Sequence, residues 1–125
     1  MSGVRVLVVE DDPSVRGLLQ TLLVAEGYEV STASDGLGGL GQAASTSPAL
    51  VLLDLVMPDL GGVRVLQELQ DDPALARIPV VVVTGQEDAV PSMRAQLGDD
   101  NVFLKPFAVD ELLARVGAIT GGPSR

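Results

Sequence analysis

Apolar residues in this chain recur with two periods that take turns from one end to the other. Residues 4–9 form a β-branched run, the pattern of a strand buried on both faces. Asp12-Pro13 then supplies a helix start, aspartate at the N-cap and proline at the first helical position. Val15, Leu18, Leu19, Leu22 and Leu23 follow as one stripe at helical spacing, closed by Gly27. Residues 28–33 alternate apolar with polar, as an edge strand does. Ser34-Asp35 caps a second helix running to about residue 44, where Gly36, Gly38, Gly39 and Gly41 each cost roughly 1 kcal/mol relative to alanine. That helix is expected to be the softest, and alanine at Gly38 and Gly39 is expected to stabilise it.

Leu50–Leu53 reads as the third strand, and residues 54–59 as a loop punctuated by Pro58 and Gly61-Gly62. Val63, Leu66 and Leu69 give a third helix its inner face. Residues 78–83 are the fourth strand, with Pro79 tolerated near its start. Pro91 marks the first turn of a short fourth helix over 91–97. Residues 101–104 are the fifth strand, and Leu112, Val116 and Ile119 define the last helix. Five βα units with right-handed crossovers give an α/β fold, a doubly wound parallel sheet with helices on both faces. One domain over residues 1–120 results, and Gly121-Gly122-Pro123-Ser124-Arg125 reads as a frayed tail or the start of a linker.

Composition narrows what such a domain can do. The net charge of -9 argues against holding nucleic acid or an anionic membrane directly, since both call for clustered basic side chains. Cysteine is absent, which removes disulfides and thiol chemistry. Histidine is absent too, so imidazole catalysis and histidine-based metal sites are unavailable to this chain alone. The amino-terminal apolar run is far shorter than a signal peptide or membrane span requires, and the expected location is the cytoplasm.

The candidate chemistry lies where the apolar runs stop. The first run ends at Glu10-Asp11-Asp12, the third at Asp54, the fourth at Thr84, and the fifth at Lys105, the only lysine beside seven arginines. In an open parallel sheet these carboxyl ends share one crevice, the place where such sheets bind ligands. Three carboxylates gathered together demand a cation or a raised pKa. Mg²⁺ suits them, because it keeps waters and accepts phosphate oxygens. With an ammonium and a hydroxyl beside it, the set matches what a transferring phosphoryl group needs, and one carboxylate can be the nucleophile that forms an acyl phosphate.

Each residue has a plainer reading alone: a strand-end acid capping a turn, acids favoured at a helix start, a buried β-branched threonine, a surface lysine. Their joint placement favours the shared site. The rival is Gly36-Leu37-Gly38-Gly39-Leu40-Gly41, a literal G-x-G-x-x-G after a strand, which would make this a small dinucleotide-binding domain. Against it stand the three residues between strand and glycine, the edge-like alternation of that strand, and the lack of residues for a substrate domain. A P-loop is excluded because no lysine follows the glycines. An aspartyl phosphatase commonly wants a second aspartate two residues after the first, where this chain has Val56. A module that binds partners without being phosphorylated is a further alternative.

Taken in order, Val8-Val9-Glu10-Asp11-Asp12-Pro13, Asp35-Gly36, Leu53-Asp54-Leu55-Val56-Met57-Pro58, Val83-Thr84-Gly85 and Lys105-Pro106-Phe107 resemble the receiver domain of bacterial two-component response regulators. The resemblance spans essentially the whole chain. It implies a flavodoxin-like (βα)5 fold with strand order 2-1-3-4-5. It also implies that Asp54 accepts a phosphoryl group, in a Mg²⁺-dependent reaction, from a phosphohistidine of a sensor histidine kinase or phosphotransfer protein. Asp11 and Asp54 would ligate the metal, Glu10 would do so through water, and Val56 would offer its backbone carbonyl. Thr84 and Lys105 would contact the phosphoryl oxygens, while Asp12 caps the first helix. The protein would be a signalling phosphoacceptor rather than an enzyme, limited to its own phosphorylation and dephosphorylation. Its phosphorylation would switch binding to a downstream protein or output domain, with a homodimer through the fourth and fifth helices as one form. Two departures stand out. Val102 occupies the position usually held by an aromatic, with Phe103 next to it facing the opposite way, and the stretch 84–98 is one residue short and contains Pro91.

Overall fold

The computed structural model describes residues 3–57 and 59–123. Its elements follow in the order β1 (Arg5–Val9), α1 (Pro13–Glu26), β2 (Glu29–Ala33), α2 (Gly36–Thr46), β3 (Leu50–Leu53), α3 (Gly62–Asp71), β4 (Val80–Thr84), α4 (Val90–Leu97), β5 (Val102–Leu104) and α5 (Val109–Thr120). Short 3-10 turns, Glu87–Ala89 and Asp99–Asn101, flank α4. The strands are all parallel, in the expected order β2-β1-β3-β4-β5.

Because successive side chains of a strand face opposite ways, the valine and leucine runs feed two cores. Leu7, Val9, Val51, Leu53, Val82 and Val102 point to the side covered by α2, α3 and α4, where Val65, Leu66, Leu69, Val90 and Met93 meet them. Val6, Val8, Leu50, Leu52, Val81 and Val83 point to the other, against Leu19 and Leu23 of α1 and Leu112 and Val116 of α5. Register fixes which residues end level with each other. Val9 pairs with both Ala33 and Leu53, and Thr84 pairs with Leu104. The residues that follow these strands therefore emerge at one edge of the molecule.

Asp12 caps α1 as expected, its carboxylate accepting from the Ser14 and Val15 amides, and Gly27 ends the helix at φ 105°. Two expectations need correction. Val63 is exposed, and the inner face of α3 is formed by Gly62, Val65, Leu66 and Leu69. Ile78 lies outside β4, which begins after Pro79, a residue that contributes only its carbonyl, to the Val51 amide. In the segment after α5 the Pro123 carbonyl accepts from the Val4 amide at 3.1 Å, and the Thr120 hydroxyl accepts from the Gly122 amide. Ser124 and Arg125 of the expected tail, and Pro58 of the expected loop, lie outside the described residues.

The glycines of α2 are not interchangeable. A Cβ at Gly39 would sit 2.9 Å from both Val9 methyls, so the absence of a side chain there lets α2 lie close on β1. At Gly38 it would meet the Asp35 Oδ1 at 2.9 Å, the oxygen that caps the helix. Stabilisation by alanine at Gly38 and Gly39 is therefore not supported. Gly41 alone of the α2 glycines faces open space.

Candidate functional site

Glu10 and Asp54 are the first residues beyond β1 and β3, and each continues the sheet by one rung. The Glu10 amide donates to the Ala33 carbonyl and the Asp54 amide to the Val9 carbonyl, both at 3.0 Å. Held this way, their side chains are 2% and 5% exposed and converge with Asp11, such that carboxylate oxygens of all three lie within 4.8 Å of one another. Lys105 arrives by the same device from β5, its amide donating to the Thr84 carbonyl at 2.8 Å. Its Nζ donates to Glu10 Oε1 at 2.7 Å and lies 3.7 Å from Asp54 Oδ2. Thr84 closes β4 fully buried, its hydroxyl oxygen accepting from the Gln86 amide at 3.0 Å.

The electrostatics follow from this crowding. Burial pushes the Glu10 carboxyl up to about 7, Asp54 adds to the rise, and the Lys105 hydrogen bond opposes it. For Lys105 burial works the other way, yet the hydrogen bond to Glu10 and the charge of Asp54 outweigh it and raise its pKa. Three carboxylates facing one ammonium leave a surplus of negative charge, which suits a hard divalent cation with oxygen ligands. Val56 can take part only through its backbone. Its amide donates to Asp54 Oδ1 at 3.3 Å and its side chain points to solvent.

Two residues at the site were not foreseen. Arg16, on α1, donates from one Nη1 to the carbonyls of Glu10 at 2.9 Å and Asp11 at 3.2 Å, fixing the turn that presents both acids. Asp59 accepts from the Gly36 and Leu37 amides at 2.9 and 3.1 Å. Both act on backbone atoms, for which the sequence carries no spacing signal. Asp59 also bears on the dinucleotide reading. The first donors of α2, where a pyrophosphate would bind, are taken by the carboxylates of Asp59 and Asp35. A phosphate would meet two anions there instead of free amides.

Val102 is 3% exposed in the core under α4, whereas Phe103 packs with the opposite core. The neighbouring ring therefore does not substitute for an aromatic at 102. A cavity of about 600 Å³ lies away from the acids, between α4, β5 and α5, with Arg94, Phe103, Phe107, Glu111 and Arg115 in its walls.

A doubly wound sheet of order 2-1-3-4-5 here gathers an acid cluster and a lysine in the crevice beyond its strand ends, the place where such sheets bind ligands. Residues 6–117 match the family described as the response regulator receiver domain, and the chain belongs to that family. The DNA-binding dual master transcriptional regulator RpaA of Synechocystis sp. is 39% identical over 118 residues, 92% of this chain and 48% of that protein. The response regulator PleD of Caulobacter vibrioides is 40% identical over 119 residues, 93% of this chain and 26% of that protein. The chain thus spans about half of the one and a quarter of the other. The solved receiver domain of the Francisella response regulator 1452 superposes with a TM-score of 0.83 at 25% identity, covering 94% of this chain and 97% of that one.

Proposed function

We propose that Asp54 is the phosphoacceptor of this receiver domain, which occupies residues 1–120 with 121–125 leading out of it. The observation that carries this reading is Lys105 Nζ, placed 2.7 Å from Glu10 and 3.7 Å from Asp54 at the level where three carboxylates meet. A Mg²⁺ there would be held by Asp11, Asp54 and the carbonyl of Val56, with Glu10 acting through water, and would supply positive charge to the phosphoryl oxygens.

The donor is a phosphohistidine of a sensor histidine kinase or phosphotransfer protein. An Asp54 carboxylate oxygen bonds to phosphorus as the phosphorus–nitrogen bond breaks, and the electron pair leaves on the imidazole nitrogen. The Lys105 ammonium and the Thr84 hydroxyl hydrogen stabilise the charge spread over the phosphoryl oxygens. Water later hydrolyses the acyl phosphate, so the domain acts as a signalling phosphoacceptor and turns over no other substrate. The phosphorylated form changes its affinity for a downstream protein or output domain, and the α4–β5–α5 face is the surface for self-association. The setting is cytoplasmic; among the described residues no helix is long and apolar enough to cross a membrane.

Intact-mass measurement with a small phosphodonor tests this. One phosphoryl group should add with Mg²⁺, not with EDTA, and not in Asp54→Ala. A label that persists in that variant would sink the assignment.

A further inference from the structure

The segment between Asp54 and α3 is tied down at more than its ends. At the far end the Gly62 amide donates to the Leu55 carbonyl at 2.9 Å, and a Cβ at Gly62 would collide with the Asp54 carbonyl. In the middle, the Asp59 carboxylate reaches across to α2 and accepts from both Gly36 and Leu37. Gly36 itself is buried against the segment: a Cβ there would collide with the Leu60 carbonyl and lie 2.8 Å from the Leu60 side chain. Asp59 is exposed and its ring of backbone partners, the Gly36 amide above all, holds its carboxyl below the usual range. Removing it therefore deletes a tether without opening a cavity.

We propose that Asp59 is a positioning residue for the metal site: by bridging to the amides of Gly36 and Leu37 it fixes the path of the segment carrying Val56, and through it the affinity of the acidic cluster for a divalent cation. This rests on the metal reading given above. Among its described hydrogen bonds Asp59 touches none of the acids; it acts by holding the start of α2 against Leu60, on a segment tied back to Leu55 through the Gly62 amide. Partners one step removed from a metal commonly alter affinity by 10–100-fold. For a tether three residues from the ligand the lower end, about tenfold, is expected.

Asp35 offers the control. Its carboxylate caps the same helix through the Gly38 amide at 2.7 Å, but it has no contact with the 55–61 segment among its described hydrogen bonds. Asp35→Ala should remove only the cap at the Gly38 amide, keep the Gly36 and Leu37 amides bridged by Asp59, and so leave the metal site alone. Mg²⁺ titration followed by amide NMR shifts of residues 54–57 should give a dissociation constant about tenfold weaker in Asp59→Ala. Asp59→Asn, which keeps a carbonyl acceptor, should fall between that variant and the parent. Asp35→Ala should match the parent. Phosphorylation of Asp59→Ala by a small phosphodonor should be slow at limiting Mg²⁺ and recover at saturation. Parent-like affinity in Asp59→Ala, or an equal loss in Asp35→Ala, would overturn the proposal. If Asp59→Ala does not fold, parent-like affinity in Asp59→Asn overturns it equally. Failure of the parent to bind Mg²⁺ at all would instead strike the metal reading, and that result is visible before any variant is made.

Discussion

Glu10 is the residue on which stability and chemistry pull against each other. Its carboxyl titrates near 7 in the fold because burial disfavours the charged form, against 4.5 for the ordinary group. Between those values the folded chain holds a proton that the unfolded chain has released. Stability of the metal-free protein must then fall as pH rises from about 5 to about 8, by on the order of 3 kcal/mol at most. Asp59 works in the opposite sense, its lowered pKa adding stability that is lost only below the ordinary aspartate range. In EDTA, the urea midpoint should drop across that window in the parent and stay nearly flat in Glu10→Gln, which cannot ionise. Identical pH profiles for the two would show that Glu10 is not the titrating group. That Glu10, Asp11, Asp54 and Lys105 meet, and that Thr84 closes β4, was legible in the sequence because each stands within two residues of a strand end, where an apolar run changes character. Arg16 and Asp59 were not, because their partners are amides and carbonyls brought near only by the fold.

At the scale of elements, strands declare themselves more openly than helix faces. A run such as Leu50–Leu53 is buried on both sides, so composition alone identifies it. The inner face of α3 depends on where the helix begins: starting at Gly62 turns Val65 inward and leaves Val63 in water. Glycine in α2 shows the same limit, since propensity ranks all four alike and packing separates them. Gly41→Ala, open on all sides, should raise stability by about 0.5–1 kcal/mol, while Gly39→Ala should lower it by about 1–3 kcal/mol as Val9 is forced aside. Denaturant unfolding of the two single variants checks the opposite signs; a gain in both would mean that α2 rides freely on β1. The alternation rule also placed Phe103 correctly on the side away from Val102, so the buried core beneath α4 is lined by valine, leucine and methionine side chains and holds no aromatic ring among the described residues.

Across the whole molecule the sheet separates two tasks. The carboxyl ends of the strands hold the acids, the lysine and the threonine, and among the described residues the amino ends hold turns with no comparable cluster. It is at this second pole that the Val4 amide meets the Pro123 carbonyl, with Gly3 beside the same residue. Since these two points of the chain are neighbours, the order in which the strands are connected is not what makes the site. A circular permutant should therefore be tolerated. Joining 123 to 3 by a short glycine linker and opening the chain between Ala76 and Arg77, both exposed in the turn before β4, leaves every strand end at the acidic pole untouched. Such a protein should fold and take up phosphoryl on Asp54 at a rate within a few-fold of the parent. A folded permutant that no longer accepts phosphoryl would show that continuity of the chain, and not only the position of its strand ends, is needed to build the site.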